Sequence, residues 1–416
     1  MIKHKIVIIG GGPAGLAAAI AAYDAGVKDI LVIERENRLG GILLQCIHNG
    51  FGLHRFKESL TGPEYADKYV REALKRNIPF LVGATVTDLS RDKIVTVTGP
   101  ETGILKIKAE AVILAMGCRE RSRGALNIPG SRPSGIFSAG TAQKFINVKG
   151  YAVGKRVVIL GSGDIGLIMA RRLTLEGAKV LAVCEIMPFS SGLKRNIEQC
   201  LNDFGIPLYL SHTITRIEGE DRVTGVVVSK VDEKKRPVSG TEMHFDCDTV
   251  LFSVGLIPEN ELSKKAGVTL SAKTKGAVVD QDRQTSADGI FACGNVLHVH
   301  DLADFVSEEA ELTGKASARY ALGKLEKTTD ITTECGDGVS YAVPQKITSD
   351  AADVKLFFRV SSVMKNCRIV VEADGKELFA ISKPALMPGE MQTITLKKDF
   401  IGKAKNKITI KAAQND

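Results

Sequence analysis

The sequence predicts an α/β protein with two three-layer parallel-sheet units and a small all-β domain at the C-terminal end. Three observations predict it. A strand–glycine–helix–strand–acid pattern occurs twice, at 5–34 and at 155–185. Apolar runs of strand length follow each pattern, at 111–115 and 250–254. From about residue 334 onward, helical spacing gives way to short alternating segments separated by D-G and P-G turns.

The first pattern reads KIVIIGGGPAGLAAAIAAYDAGVKDILVIE. Ile6 to Ile9 is a β-branched apolar run, as expected of a strand buried on both faces. Gly10, Gly12 and Gly15 follow at G-x-G-x-x-G spacing. Gly10 permits a tight turn, Gly12 lets the backbone approach a pyrophosphate, and Gly15 lets helix pack on strand. Pro13 and Ala14 open the helix, whose bare N–H groups and dipole favour an anion. The strand Ile30 to Ile33 ends at Glu34, where a carboxylate can accept hydrogen bonds from a ribose diol; Arg35 is next to it. The whole βαβ context, with its acid in place, predicts a Rossmann-like dinucleotide-binding unit.

The second pattern reads KRVVILGSGDIGLIMARRLTLEGAKVLAVCE. Gly161, Gly163 and Gly166 repeat the spacing, Asp164 and Ile165 lie at the helix start, and Glu185 repeats the acid. Glu185 would repel a 2′-phosphate, so NAD is favoured over NADP, although Lys194 and Arg195 a little further on leave NADP open.

The totals narrow the function classes. At 416 residues, two or three domains are expected. A formal charge of +8 spread along the chain, with no lysine-arginine block, argues against nucleic acid as a partner. No apolar run reaches a membrane span, and Ile6 to Ile9 is too short for a signal-peptide core. The eight cysteines include no C-x-x-C pair, which argues against a zinc site, an iron–sulfur centre and a disulfide framework. A cytoplasmic location is expected.

Three further stretches carry a resemblance: RLGGILLQC after the first acid, AVILAMGC at 111–118, and TSADGIFACGN at 285–295. With the two glycine patterns, they resemble the flavoproteins with two dinucleotide-binding domains, the pyridine nucleotide-disulfide oxidoreductase superfamily. GCRER at 117–121 and SGIFSAGTAQKFIN at 134–147 are similar to flavoprotein subunits of opine oxidases and of hydrogen cyanide synthase. They are also similar to flavoproteins that accompany bacterial FAD-dependent glycerol-3-phosphate dehydrogenases.

The resemblance implies FAD on the first unit, at Gly10, Gly12, Pro13, Ala14, Gly15, Glu34, Arg35, Gly41, Ala115, Gly117, Gly294 and Asn295. It implies NAD on the second, at Gly161, Gly163, Asp164, Ile165, Gly166, Glu185 and Gly255. It also implies NADH as reductant, a possible partner dehydrogenase subunit, and an oligomer. Four departures stand out. The paired redox cysteines are reduced to Cys46, with Ile42 or Leu43 at the other position; Met116 replaces a threonine; Ile168 replaces a glutamate that aids hydride transfer; and Asn295 replaces an aspartate.

Candidate catalytic groups are therefore few. Cys46 reads as a flavin-adjacent thiol or as a small core residue. His48, His54, His298 and His300 read as proton donors or as structural residues. His298, His300, Asp301 and Asp304 suggest metal ligands at first sight, but a helix start explains the acids better, with Asp301 as N-cap; no metal is expected. The resemblance implies that this helix points its N-terminus at the flavin. Arg119, Arg121, Arg123 and Arg132 read as a phosphate or partner surface, or as a solvated linker.

The remaining elements follow in order. Residues 62–80 read as an amphipathic helix ending near Asn77, followed by strands at 79–82, 85–89, 94–98 and 104–107. The expected domains are 1–120 and 253–327 for FAD, 121–252 for NAD(P), a polar linker at 324–333, and an antiparallel sandwich at 334–416. The function expected is an FAD-dependent oxidoreductase moving hydride between NAD(P)H and flavin, with electrons passing to or from a partner dehydrogenase or a small substrate. Two alternatives are a peroxide or disulfide reductase using Cys46 alone, and a non-catalytic scaffold with structural FAD.

Overall fold

The computed structural model describes residues 1–325 and 330–414. Two compact units emerge, one made of Met1–Cys118 with Pro258–Asp416 and the other of Arg119–Ile257.

The first unit is built on a seven-stranded sheet. Its strands run in the order Phe80–Leu81, Ile30–Ile33, Ile2–Ile9, Gly103–Leu114, Ile94–Gly99 and Thr85–Leu89, with Ile290–Ala292 also pairing Gly103–Leu114. Ile6 is level with Ile30 on one side and Ala111 on the other, all parallel. Ile6 and Ile8 pack under the helices with Leu16 and Ala310, whereas Val7 and Ile9 pack with Val95 and Ile290 on the opposite face. Burial on both faces explains why this strand is apolar throughout rather than alternating.

The alanine-rich helix Pro13–Asp24 serves a close contact with the helix Ala303–Ala321. A Cβ on Gly314 would lie 2.2 Å from Ala18 O, so the two backbones meet with no room for a side chain there. The helix Gly62–Lys75 starts on a complete capping box, Thr61 with Glu64. It stops before Asn77, which is left-handed at φ 52°.

The strands read as 104–107 and 111–115 are one strand, Gly103–Leu114. Its first half pairs antiparallel with Ile94–Gly99 and its second half parallel with Ile2–Ile9. Lys108 and Glu110 read as a break in the sequence; they alternate with buried Ile107, Ala109 and Ala111, so the period of two continues through them.

The second unit has a parallel five-stranded sheet, ordered Ile136–Ser138, Thr249–Phe252, Arg156–Leu160, Lys179–Glu185, Leu208–Leu210. A three-stranded antiparallel sheet, His212–Glu218, Gly225–Lys230 and Met243–Asp246, accompanies it. The helix Ala139–Lys149 is capped by the Ser138 hydroxyl and ended by left-handed Gly150.

The C-terminal segment forms a five-stranded and a three-stranded sheet over its own apolar core, which includes Leu356, Phe358, Ile369 and Ile410. The expected sandwich is antiparallel except at one place. Ile331–Cys335 and Lys407–Gln414, the first and last strands of the segment, lie side by side in parallel. The first of these strands begins inside the stretch read as a linker, of which residues 326–329 lie outside the described residues. Among the described residues, no helix is long and apolar enough to cross a membrane.

Candidate functional site

Five helices among the described residues have eight or more residues. Two start on side-chain caps, Gly62–Lys75 on Thr61 and Ala139–Lys149 on Ser138. The other three, Pro13–Asp24, Asp164–Leu175 and Ala303–Ala321, have no side-chain cap. A helix start without a cap leaves donors for water or a ligand.

The first two uncapped helices follow the glycine turns, and the turns match atom for atom. Gly10 and Gly161 are left-handed, at φ 109° and 101°. A Cβ on Gly10 would sit 2.4 Å from Ala115 O, and one on Gly161 2.0 Å from Ser253 O. A Cβ on Gly15 would sit 1.8 Å from Gly10 O, and one on Gly166 2.7 Å from Gly161 O. These four glycines are required by the protein's own backbone.

The middle glycines are not. Gly12 and Gly163 have φ of −79° and −67°, which any residue adopts. A Cβ on Gly12 would meet nothing nearer than Gly41 Cα at 3.8 Å, and one on Gly163 nothing nearer than the Ser191 and Ser253 hydroxyls at 3.7 Å. Neither strain nor packing demands glycine there. The open space is what close approach of a pyrophosphate would require, so both turns fit a dinucleotide.

Each turn also has its acid. Glu34 accepts from the Gly11 amide at 2.7 Å and from the Glu36 amide at 2.8 Å. Glu185 accepts from the Ser162 amide at 3.0 Å, the Ser162 hydroxyl at 2.7 Å and the Met187 amide at 3.0 Å. Both acids are buried. Backbone N–H groups thus hold each carboxylate at the glycine turn as an acceptor. Arg35 is exposed beside Glu34.

Around the first turn, the Gly40 amide donates to Gly11 O at 2.9 Å, and a Cβ on Gly41 would lie 2.9 Å from Gly12 Cα. Gly294 is left-handed, and a Cβ there would meet Ala14 Cβ at 3.0 Å. Gly117 and Gly255 are both left-handed, and a Cβ on either would have nothing within 4 Å. Asn295 accepts from the His300 amide at 3.0 Å and donates to Cys118 Sγ at 3.6 Å. Pro13 and Ala14 occupy the first turn of their helix.

Around the second turn, Asp164 accepts from the Leu193 amide at 2.8 Å and the Asn196 side chain at 2.6 Å, tying down the following loop. Ile165 and Ile168 are half-buried. The Gly166 amide donates to Ser253 Oγ at 3.0 Å. Arg121 donates its amide to Gly255 O at 3.0 Å, and Arg123 reaches the Ile128 and Gly130 carbonyls. Arg119 and Arg132 are exposed.

Of the catalytic candidates, Cys46 is half-buried and donates to Ile42 O at 3.4 Å. Burial pushes its thiol up to about 12, the opposite direction from that of a reactive thiolate. His48 donates to Asn49 O and lies 5.1 Å from the Phe51 ring. His54 stacks on Phe305.

His300 belongs to a buried cluster that no local sequence pattern announces. Its Nε2–H and that of His298 each donate to Glu309, at 3.1 Å, on different carboxylate oxygens. Arg283 Nε and the Gly294 amide donate to the same carboxylate, both at 2.9 Å. Burial pushes Glu309 up, but His298, Arg283 and His300 outweigh it and hold the carboxyl well below its usual range. Burial, then His300, pushes the His298 imidazole down to about 4. The three groups His298, His300 and Glu309 offer ligand atoms within 4.8 Å of one another. Both Nε2 atoms are engaged by Glu309, whereas His298 Nδ1 and His300 Nδ1 are buried without a hydrogen-bond partner. Arg283 with Glu309 balances the charge, so a divalent ion would add two uncompensated charges to a closed interior. Residue spacing alone missed Glu309, although it lies on the buried face shared by Val306, Ala310 and Thr313.

Asp301 does not cap the helix. Leu302 is the N-cap, and the Asp301 carboxylate instead accepts from the Arg359 guanidinium and, at 2.6 Å, from the Met391 amide. Asp304 does lie in the first turn, but its carboxylate accepts from the Gly52 and Arg55 amides.

Comparison with known proteins agrees with this geometry. A family model described as pyridine nucleotide-disulphide oxidoreductase matches residues 4–318. A thioredoxin reductase of Mycolicibacterium smegmatis is 30% identical over 297 residues, 71% of this chain and 88% of that protein. One of the subunits of opine oxidase from Agrobacterium tumefaciens (strain Ach5) is 26% identical over 347 residues, 78% of this chain but only 66% of its own length. The crystal structure of T. acidophilum thioredoxin reductase superposes with a TM-score of 0.63 at 23% identity, covering 78% of this chain and 99% of that one.

Proposed function

We propose that this chain, which belongs to the pyridine nucleotide-disulphide oxidoreductase family and is an FAD-dependent NAD(P)H oxidoreductase, prefers NADH and exchanges electrons with a partner dehydrogenase. FAD supplies the hydride and electron chemistry when bound. The chain's own residues bind and orient. Gly10, Gly12 and Gly15, with the start of the Pro13–Asp24 helix, would hold the FAD pyrophosphate, and Glu34 a ribose. Gly161, Gly163 and Gly166 would do the same for NAD, with Glu185 on its ribose.

The observation that carries this reading is the pair of middle glycines. Gly12 and Gly163 have free space and ordinary backbone angles, and each lies beside a buried acid held by an amide 23 residues away. The preference for NADH rests on Glu185, whose carboxylate sits at the second turn and would repel a 2′-phosphate. The relative from opine oxidase, one of that enzyme's subunits, supports a partner chain. The raised Cys46 thiol favours electron exchange without a cysteine relay.

The test is anaerobic addition of NADH or NADPH to the purified protein while the flavin absorbance is followed. Bleaching by NADH, much weaker with NADPH, is expected. Bleaching by NADPH at lower concentration would overturn the cofactor assignment.

A further inference from the structure

The two glycine turns differ in what lines the open space at their middle glycine. At Gly12, Gly41 Cα at 3.8 Å is the one atom within 4 Å of an added Cβ. At Gly163, three oxygens ring that space: Ser191 Oγ and Ser253 Oγ at 3.7 Å each, and Ser253 O at 4.0 Å. Ser253 stands where the first turn has Ala115. The carbonyl of each faces the first glycine of its turn, 2.0 Å from a Cβ on Gly161 and 2.4 Å from one on Gly10. The second turn therefore carries hydroxyls where the first is lined by main chain.

Four serines surround the second turn, and their hydrogens tell them apart. The Ser162 hydroxyl donates to Glu185 at 2.7 Å, and the Ser190 hydroxyl to Ser162 O at 3.0 Å. Ser253 Oγ instead accepts, from the Gly166 amide at 3.0 Å. A hydroxyl has one hydrogen to give, and Ser253 still has it. Among the described residues, neither Ser253 nor Ser191 has an acceptor for its O–H. Ser191 is nonetheless held in place from both sides. Ser190 is tied to Ser162, and the Leu193 amide to Asp164 at 2.8 Å. Gly192 lies against the turn itself, where a Cβ would come 2.8 Å from Ser162 O.

We propose that the Ser253 and Ser191 hydroxyls are side-chain ligands of the dinucleotide pyrophosphate at the second turn, donors with no counterpart at the first. This rests on the proposed binding of NAD there. The electrostatics of the two turns explain why the second needs them. The helix Pro13–Asp24 has no acid in its first turn, whereas Asp164–Leu175 opens on Asp164. A carboxylate at that end weakens the attraction of the helix for an anion. Asp164 is turned to the Leu193 amide and the Asn196 side chain, but its charge remains. Neutral hydroxyl donors offset it. Ser253 also relays one of the otherwise unpaired N–H groups of the helix start: Gly166 donates to Oγ, and the Oγ hydrogen is passed on to the ligand.

A hydrogen bond to a charged group is among the stronger ones, so losing either hydroxyl should weaken binding by about tenfold. Ser253→Ala copies the residue that the first turn already carries, so the chain should fold. Ser191→Ala removes a hydroxyl that no described residue uses, so its melting temperature should not change. Both variants should keep their FAD, which is assigned to the first turn. The loss should be equal for NAD+ and for ADP-ribose, which share the pyrophosphate and differ at the nicotinamide.

The experiment is calorimetric titration of the full-length, FAD-loaded wild type, Ser253→Ala and Ser191→Ala with NAD+ and with ADP-ribose. Weaker binding of both ligands by both variants supports the proposal. Affinities within about twofold of wild type overturn it. So does a loss in Ser253→Ala alone, which would leave Ser253 as a support for the Gly166 amide, and so does a loss for NAD+ that ADP-ribose does not share. A wild type that binds neither ligand would sink the reading on which the proposal rests, and is seen before any variant is made.

Discussion

Arg283 Nε lies 2.9 Å from Glu309 Oε1, and both side chains are closed to solvent. That carboxylate takes four N–H donors, from Arg283, His298, His300 and Gly294. Removing the charge with Glu309→Gln leaves the buried Arg283 cation with the Gln281 carbonyl but no carboxylate, which should cost about 3–5 kcal/mol. Urea denaturation of the folded variant checks this; a loss below about 1 kcal/mol would mean that the pair contributes little.

His298 makes a prediction about pH. Its imidazole, held down at about 4 by burial and by His300, stays neutral in the folded protein, whereas in the unfolded chain it takes a proton near pH 6.5. Between those values the unfolded state binds more protons, so stability falls as pH drops from about 6.5 to about 4. The size should be of the order of 3 kcal/mol across the window. Chemical denaturation at several pH values should show this slope, and His298→Gln should flatten it.

The glycines divide into two classes. Gly15→Ala puts a methyl 1.8 Å from Gly10 O and should destabilise the fold. Gly12→Ala and Gly163→Ala meet nothing nearer than 3.8 and 3.7 Å, so their apo stability should stay within about 1 kcal/mol of wild type. They should instead lose FAD and NADH binding respectively. Thermal melts beside flavin content separate the two effects. A Gly12→Ala protein that keeps its flavin would remove the reason given for that glycine.

Cys46→Ser should leave NADH-dependent reduction of a dye unchanged, because the thiol is pushed up to about 12 and donates to Ile42 O. Slow alkylation of Cys46 at neutral pH is expected for the same reason. Loss of dye reduction in the folded serine variant would bring the single-cysteine mechanism back.

The glycine turns were legible because everything that makes them is local. A strand, three glycines and an acid fall within one short stretch, and Gly11 with Glu34 and Ser162 with Glu185 then meet at the same separation. The β-rich C-terminal segment was legible from its period of two. What depended on distant chain was not. Arg283 and Glu309 reach His298 and His300 only when a turn and a helix fold back on one loop. Asp301 carries a capping signal in its own neighbourhood, and a residue 58 positions away overrides it. Lys108 and Glu110 resemble a break because polar residues on the outer face of a strand look locally like the end of one.

The proposed function turns on one step, in which the second glycine turn, with Glu185, delivers NADH to the flavin on the first. Anaerobic titration of the flavin-loaded protein with NADH and, separately, with NADPH, repeated on Gly163→Ala, follows that step itself. Bleaching of the flavin by NADH is expected at concentrations where NADPH has little effect, and it should be lost in the variant while FAD stays bound. Equal bleaching of wild type and variant, or none of the wild type by either nucleotide, would contradict the proposed path.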